Sequence, residues 1–157
     1  MKGRPDRPVP HVRARFAARI DALADIGDWV RAACECCGES RAWLDAFELA
    51  AIEASSNVIR HGCAAMPDAP PPAARPLLAL TLHRGRRALS LDIFDAGAAA
   101  PPGVFDAPRS LPSFDPDDAD TWPERGMGLG IMHASVDAVE YRRRLGVNRL
   151  RLVKRRG

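Results

Sequence analysis

Glu53 and Asn57 stand four residues apart in the stretch Glu-Ala-Ser-Ser-Asn. In a helix that spacing is about one turn, so both side chains leave nearly the same face. A carboxylate and an amide oxygen so placed can hold a hard cation or orient a nucleophile. A solvated helix edge could carry the same pair. Asp95-Ala96-Gly97 follows a run of strand character. An aspartate at a strand end can accept a hydrogen bond from an exocyclic amine, and the glycine lets a flat ring approach the backbone. The same residue types also make ordinary turns. Arg125-Gly126-Met127-Gly128-Leu129-Gly130 precedes a helical run. Alternating glycines free backbone N–H groups to face an anion, and a helix N-terminus adds its dipole. A hinge could be built from the same glycines. The stretch has neither the Gly-Lys-Ser/Thr of a Walker loop nor dinucleotide Gly-x-Gly-x-x-Gly spacing.

These segments need elements to hold them. Asp21 is a plausible N-cap for a helix over 21–37, with Leu23, Ile26, Val30 and Ala33 at helical spacing and Gly38 as its stop. Ser40 opens a second helix, in which Trp43, Phe47, Ala50, Ala54 and Val58 form an apolar stripe up to Gly62. Met66 to Pro76 holds five of the 14 prolines and reads as a surface loop. Leu77 to His83 and Ala88 to Asp95 alternate as strands joined by a hairpin-length connection. Arg13 to Arg19 is a weaker strand. Gly130 to Val136 reads as a helix, and 138–144 with 149–153 as a closing hairpin. The order β, α, α, ββ, loop, α, ββ predicts an α+β fold, a two-layer α/β sandwich on a largely antiparallel sheet. One domain is expected over 13–157, behind a flexible segment at 1–12. The long Ala-, Pro- and Asp-rich stretch at about 98–124 reads as a lid.

Composition bounds the partners. A net charge of +3 is too small to imply nucleic acid, and no aromatics interleave the basic C-terminus. There, Arg149 and Arg151 share a strand face while Leu150 and Leu152 point inward; a charged sheet edge fits this, and docking of an acidic protein is the alternative. No apolar run approaches the roughly 18 residues of a membrane span, and no signal-peptide pattern opens the chain. Cys34, Cys36, Cys37 and Cys63 do not form a spaced disulfide framework, so a reduced, cytoplasmic protein is expected. A metal site made of the cysteine cluster with His61 is the alternative.

Taken in order, Glu53…Asn57, Asp95-x-Gly97 and Gly126-x-Gly128 resemble the N, G1 and G2 boxes of the GHKL (Bergerat-fold) superfamily. Residues 124–132, Glu-Arg-Gly-Met-Gly-Leu-Gly-Ile-Met, and the Asn57…His61-Gly62 ending of the second helix are similar to its anti-sigma-factor serine kinase branch. The resemblance runs over roughly 13–154. It implies ATP and Mg²⁺ as ligands, with Asn57 holding the metal and Glu53 acting as general base. Asp95 would bind the adenine amine, with Gly97 lining the base pocket. Gly126, Gly128 and Gly130, with Met127 and Leu129 between them, would cradle the phosphates, and Arg125 would stand near the γ-phosphate. The implied partners are a sigma factor and a small antagonist protein phosphorylated on Ser or Thr, and a homodimer is compatible with the resemblance. A non-catalytic, nucleotide-gated interaction module is the second reading, and a fragment of a larger GHKL machine the third. None of the four histidines is followed by the acidic residue of a phosphoacceptor site, so a complete sensor kinase is not expected. The chain departs from the family at Ala98-Ala99-Ala100 and at Gly146-Val147-Asn148-Arg149, where Gly-Thr is common. The second departure implies one weaker polar contact near the adenine.

Overall fold

A computed structural model describes residues 11–63, 76–106 and 127–157. In chain order these form strand β1 (His11–Ala17), helices α1 (Leu23–Cys34) and α2 (Arg41–Asn57), and strands β2 (Leu77–Arg84) and β3 (Ala88–Asp95). Helix α3 (Met127–Ser135) and strands β4 (Ala138–Arg144) and β5 (Val147–Arg155) complete the order. One antiparallel sheet runs β1-β2-β3-β5-β4. Strand register sets Leu80 opposite Ile93 and Ile93 opposite Leu150. Side chains alternate along strands, so Leu78, Leu80, Leu82, Leu89, Leu91, Leu150 and Leu152 share one buried face. The helices cover that face, which makes the predicted two layers.

Helix α2 sits at the centre of the helical layer, against α1 and α3. Ser40 starts it, its Oγ accepting from Trp43 N at 3.2 Å. Phe47, Ala50, Ala51 and Ala54 are fully buried along its inner face. Burying Phe47 alone contributes about 1.5–3 kcal/mol. Small alanines elsewhere on the stripe let α1 and α3 approach closely. After Asn57 the helix widens into a π turn, Val58–Cys63, which carries His61 and Gly62 toward the sheet. Single π turns of this kind commonly accompany functional sites.

Several boundaries differ from expectation. The first strand is His11–Ala17, and the first helix is α1 flanked by 3-10 turns at Ile20–Ala22 and Glu35–Cys37. Asp21 is not a cap: it lies inside the first 3-10 turn and pairs with Arg19 at 2.5 Å. The turn itself satisfies the helix entrance, since Leu23 N donates to Ile20 O. Gly38 does end the segment, at a left-handed φ of 73°. Helix α3 runs over Met127–Ser135 rather than 130–136.

Strand β5 is not a sheet edge; it lies between β3 and β4. Arg149 and Arg151 therefore have a partner across the sheet. Arg151 Nε and Nη2 donate to Asp92 Oδ1 and Oδ2 at 2.6 and 2.7 Å. Asp92 is buried, with His83 Nε2 3.1 Å away and Arg149 Nε at 4.0 Å. Burial alone would raise the Asp92 carboxyl; the bidentate Arg151 bonds and charge, helped by His83 and Arg149, outweigh it and hold it below the usual range.

All four cysteines are free thiols. Cys34 and Cys37 are buried and pack as small apolar groups, and burial pushes the Cys34 thiol up to about 12. Among the described residues no three His, Cys, Asp or Glu side chains come together as a metal site, so the cysteine–His61 alternative is not assembled. No described helix is long and apolar enough to cross a membrane.

Candidate functional site

The end of α2, the end of β3 and the start of β5 meet around a cleft of about 460 Å³. Asn57, His61 and Gly62 form one wall, Asp95 and 98–101 another, and Leu129, Tyr141 and Asn148 the third. This size suits a small organic ligand, for which pockets run from roughly 300 to 1,000 Å³.

Asp95 closes β3 and is 6% exposed. Its two oxygens have different fates. Oδ1 accepts from Gly97 N at 2.8 Å and from Asn148 Nδ2 at 2.8 Å. Among the described residues no donor reaches Oδ2. Oδ2 is not fully buried; it opens onto the cleft as a free acceptor. A ligand N–H in the cleft would meet it.

Gly97 is required by close approach. A Cβ there would lie 2.6 Å from the carbonyl carbon of Gly62 and 2.9 Å from Asp95 Oδ1. The backbones of the π turn and of the loop after β3 are clasped, with Ala98 N donating to Gly62 O at 2.9 Å. Only a bare backbone lets both lie beside Asp95.

Glu53 and Asn57 sit one turn apart on α2, half-buried and facing α3. Gly128 brings the α3 backbone against them: a Cβ on Gly128 would stand 2.6 Å from Glu53 Oε2 and 3.8 Å from Asn57 Nδ2. The glycines at 128 and 130 thus lie within a helix, Gly128 against the Glu53 side chain, rather than in a turn before it. Among the described residues Asn57 Nδ2 is buried without a hydrogen-bond partner. The oxygen and nitrogen of an amide are told apart only by their partners. Turned over, Asn57 offers an oxygen to a hard cation, so the pair fits a Mg²⁺ site of carboxylate-and-carbonyl type. The described part of α3 opens with Met127, Gly128, Leu129 and Gly130, and first-turn N–H groups are those a helix leaves for an anion.

The structure therefore brings Glu53, Asn57, Asp95, Gly97 and residues 127–130 to the ends of neighbouring elements. Arg125 and Gly126 lie outside the described residues, as does 107–124 of the expected lid. Its first part, 98–106, is packed: Ala100 N donates to the Tyr141 hydroxyl at 2.9 Å, and Phe105 stacks on Tyr141 with ring centroids 5.5 Å apart. Sequence reasoning misses Tyr141, because a lone tyrosine among arginines in a β-strand gives no signal of its own. Asn148 stands where the chain departs from the family, and its amide donates directly to Asp95.

The family model described as the histidine kinase-like ATPase domain matches residues 16–154. Among curated proteins none matches. Among solved structures, the RsbU and RsbW domains of Rv1364c from Mycobacterium tuberculosis match with a TM-score of 0.57 at 15% identity. The match covers 95% of this chain and 33% of that one, and shows a shared fold.

Proposed function

The chain belongs to the histidine kinase-like ATPase domain family, and from that premise we propose that it is an ATP-binding regulatory protein: an anti-sigma factor that phosphorylates a serine or threonine of an antagonist protein. One observation carries the reading. Asp95 stands in the cleft with Oδ1 accepting two hydrogen bonds and Oδ2 meeting no donor among the described residues, as a receptor for the adenine amine requires. The glycine approach at Gly97 gives the flat base its room. Residues 127–130, with Gly126 and Arg125 ahead of them, take the phosphates. Asn57 holds Mg²⁺, which when bound supplies charge neutralisation and alignment. Glu53 accepts the proton of the acceptor hydroxyl as its oxygen attacks the γ-phosphorus and ADP leaves. The segment at about 98–124 acts as a lid rooted on Tyr141. The sigma factor and the antagonist are the protein partners, in the cytoplasm.

The test pairs two readings on two variants: Mg·ATP affinity and transfer of labelled phosphate to candidate antagonists. Glu53→Ala should bind Mg·ATP within a few-fold of the parent yet lose about 10²–10⁴-fold in transfer, the usual worth of a general base. Asn57→Ala should lose both, because the cation is held less firmly. Tight ATP binding with no transfer to any antagonist would favour the non-catalytic, nucleotide-gated module instead.

A further inference from the structure

Asn148 is 3% exposed, and both polar atoms of its side chain are engaged. Nδ2 donates to Asp95 Oδ1 at 2.8 Å, to Ala98 O at 3.0 Å and, more weakly, to Gly97 O at 3.3 Å. Oδ1 accepts from the Tyr141 hydroxyl and from Arg143 Nη1, both at 2.6 Å. The network extends outward: Arg143 Nη1 also donates to Gly97 O at 2.8 Å, and Tyr141 accepts from Ala100 N at 2.9 Å. Three side chains of the β4–β5 hairpin thus hold the loop 97–100 and one oxygen of Asp95 at once.

The donors and acceptors leave Asn148 a single orientation. Turned over, its oxygen would face the Asp95 carboxylate and two carbonyls, and its amine would face two donors. No other side chain of this size offers two donors and an acceptor here. Aspartate would set a second carboxylate against Asp95. Threonine would keep one donor for Asp95 but lose the remaining ties.

We propose that Asn148 is the positioning residue of the base subsite. With Gly97 N it saturates Asp95 Oδ1 and so presents Oδ2 to the ligand, and through Tyr141 and Arg143 it ties that oxygen to the root of the lid. The inference rests on the reading of the cleft as an adenine-nucleotide site. A fixed acceptor discriminates a purine bearing a 6-amino group from one bearing a 6-oxo group, because the oxo group leaves a buried acceptor facing another acceptor. An Asp95 free to turn discriminates less. Asn148 touches Asp95 and not the ligand, so its mark is on selectivity more than on the fold.

ATP and ITP differ at that 6-position, and their affinities can be measured by calorimetry for the parent, Asn148→Asp, Asn148→Thr and Tyr141→Phe, with thermal melting alongside. The parent should prefer ATP by at least about tenfold, the effect of one hydrogen bond to a charged group. Asn148→Asp should fall to near parity. Asn148→Thr should keep most of the preference while binding both nucleotides more weakly. If Asn148→Asp does not fold, Tyr141→Phe serves in its place: it removes one of the two donors to Asn148 Oδ1 and the acceptor of Ala100 N, and should lower the ratio by about threefold or more without abolishing binding. A folded Asn148→Asp, or failing that a Tyr141→Phe, with the parent's ATP:ITP ratio overturns the proposal. A parent that binds neither nucleotide overturns the underlying reading of the cleft instead.

Discussion

Gly128 lies against Glu53 so closely that a single methyl group on Gly128 would stand 2.6 Å from the Glu53 carboxylate oxygen. That oxygen ends a flexible side chain, so it would swing aside rather than break the helix. Gly128→Ala also removes a helix glycine, which is worth roughly 0.5–1 kcal/mol in stability. The variant should therefore melt at or above the parent's temperature while transferring phosphate at least about tenfold more slowly, since the base is displaced from its acceptor. Thermal melting beside a transfer assay checks this. A variant with parental transfer would remove Glu53 from the role given to it.

Gly97 sits in the opposite situation. What a Cβ there would meet is the backbone of Gly62, which cannot swing. Gly97→Ala should cost about 1–3 kcal/mol, the range for overpacking a tight interior. Urea denaturation reads it as a lower midpoint with an unchanged slope. Equal midpoints would mean that the clasp between the π turn and the loop after β3 has room to spare.

Asp92 predicts a pH dependence far from the cleft. Its carboxyl titrates below the ordinary 3.8 in the folded chain, because the Arg151, His83 and Arg149 contacts outweigh burial. The unfolded chain therefore binds the proton first. The stabilisation is fully present above the ordinary value and is lost as pH falls through the lower folded value. Asp92→Asn should cost about 1–3 kcal/mol at neutral pH, the loss of hydrogen bonds to a buried charge. Chemical denaturation from pH 7 down to pH 3 should show the gap between parent and variant closing below about pH 4. A gap that persists undiminished at pH 3 would contradict the pairing.

The helical stripe of α2 is legible in the sequence because Phe47, Ala50 and Ala54 repeat at the helical period, and that period alone places Glu53 and Asn57 on one face. Asp95 is legible as a strand end with a glycine behind it. Asn148 as its partner is not, because the bond joins residues 53 apart through a β3–β5 register that no local pattern encodes. The start of α3 departs from its expected position for a related reason. Glycines at 126, 128 and 130 argue against a helix on propensity, yet Gly128 and Gly130 are helical, in a helix packed along α2 with Gly128 against the Glu53 side chain. The basic strand β5 reads as an edge in the sequence because Asp92, its partner, sits 59 residues away.

Capture of an adenine nucleotide through Asp95 underlies the proposed function. It is tested most directly by titrating Mg·ATP into the parent and into Asp95→Ala in a calorimeter. One site per chain is expected in the parent, with a loss of about tenfold or more in Asp95→Ala, since the base loses a hydrogen bond to a charged acceptor. Absence of Mg·ATP binding to the folded parent, or binding that Asp95→Ala leaves unchanged, would contradict it.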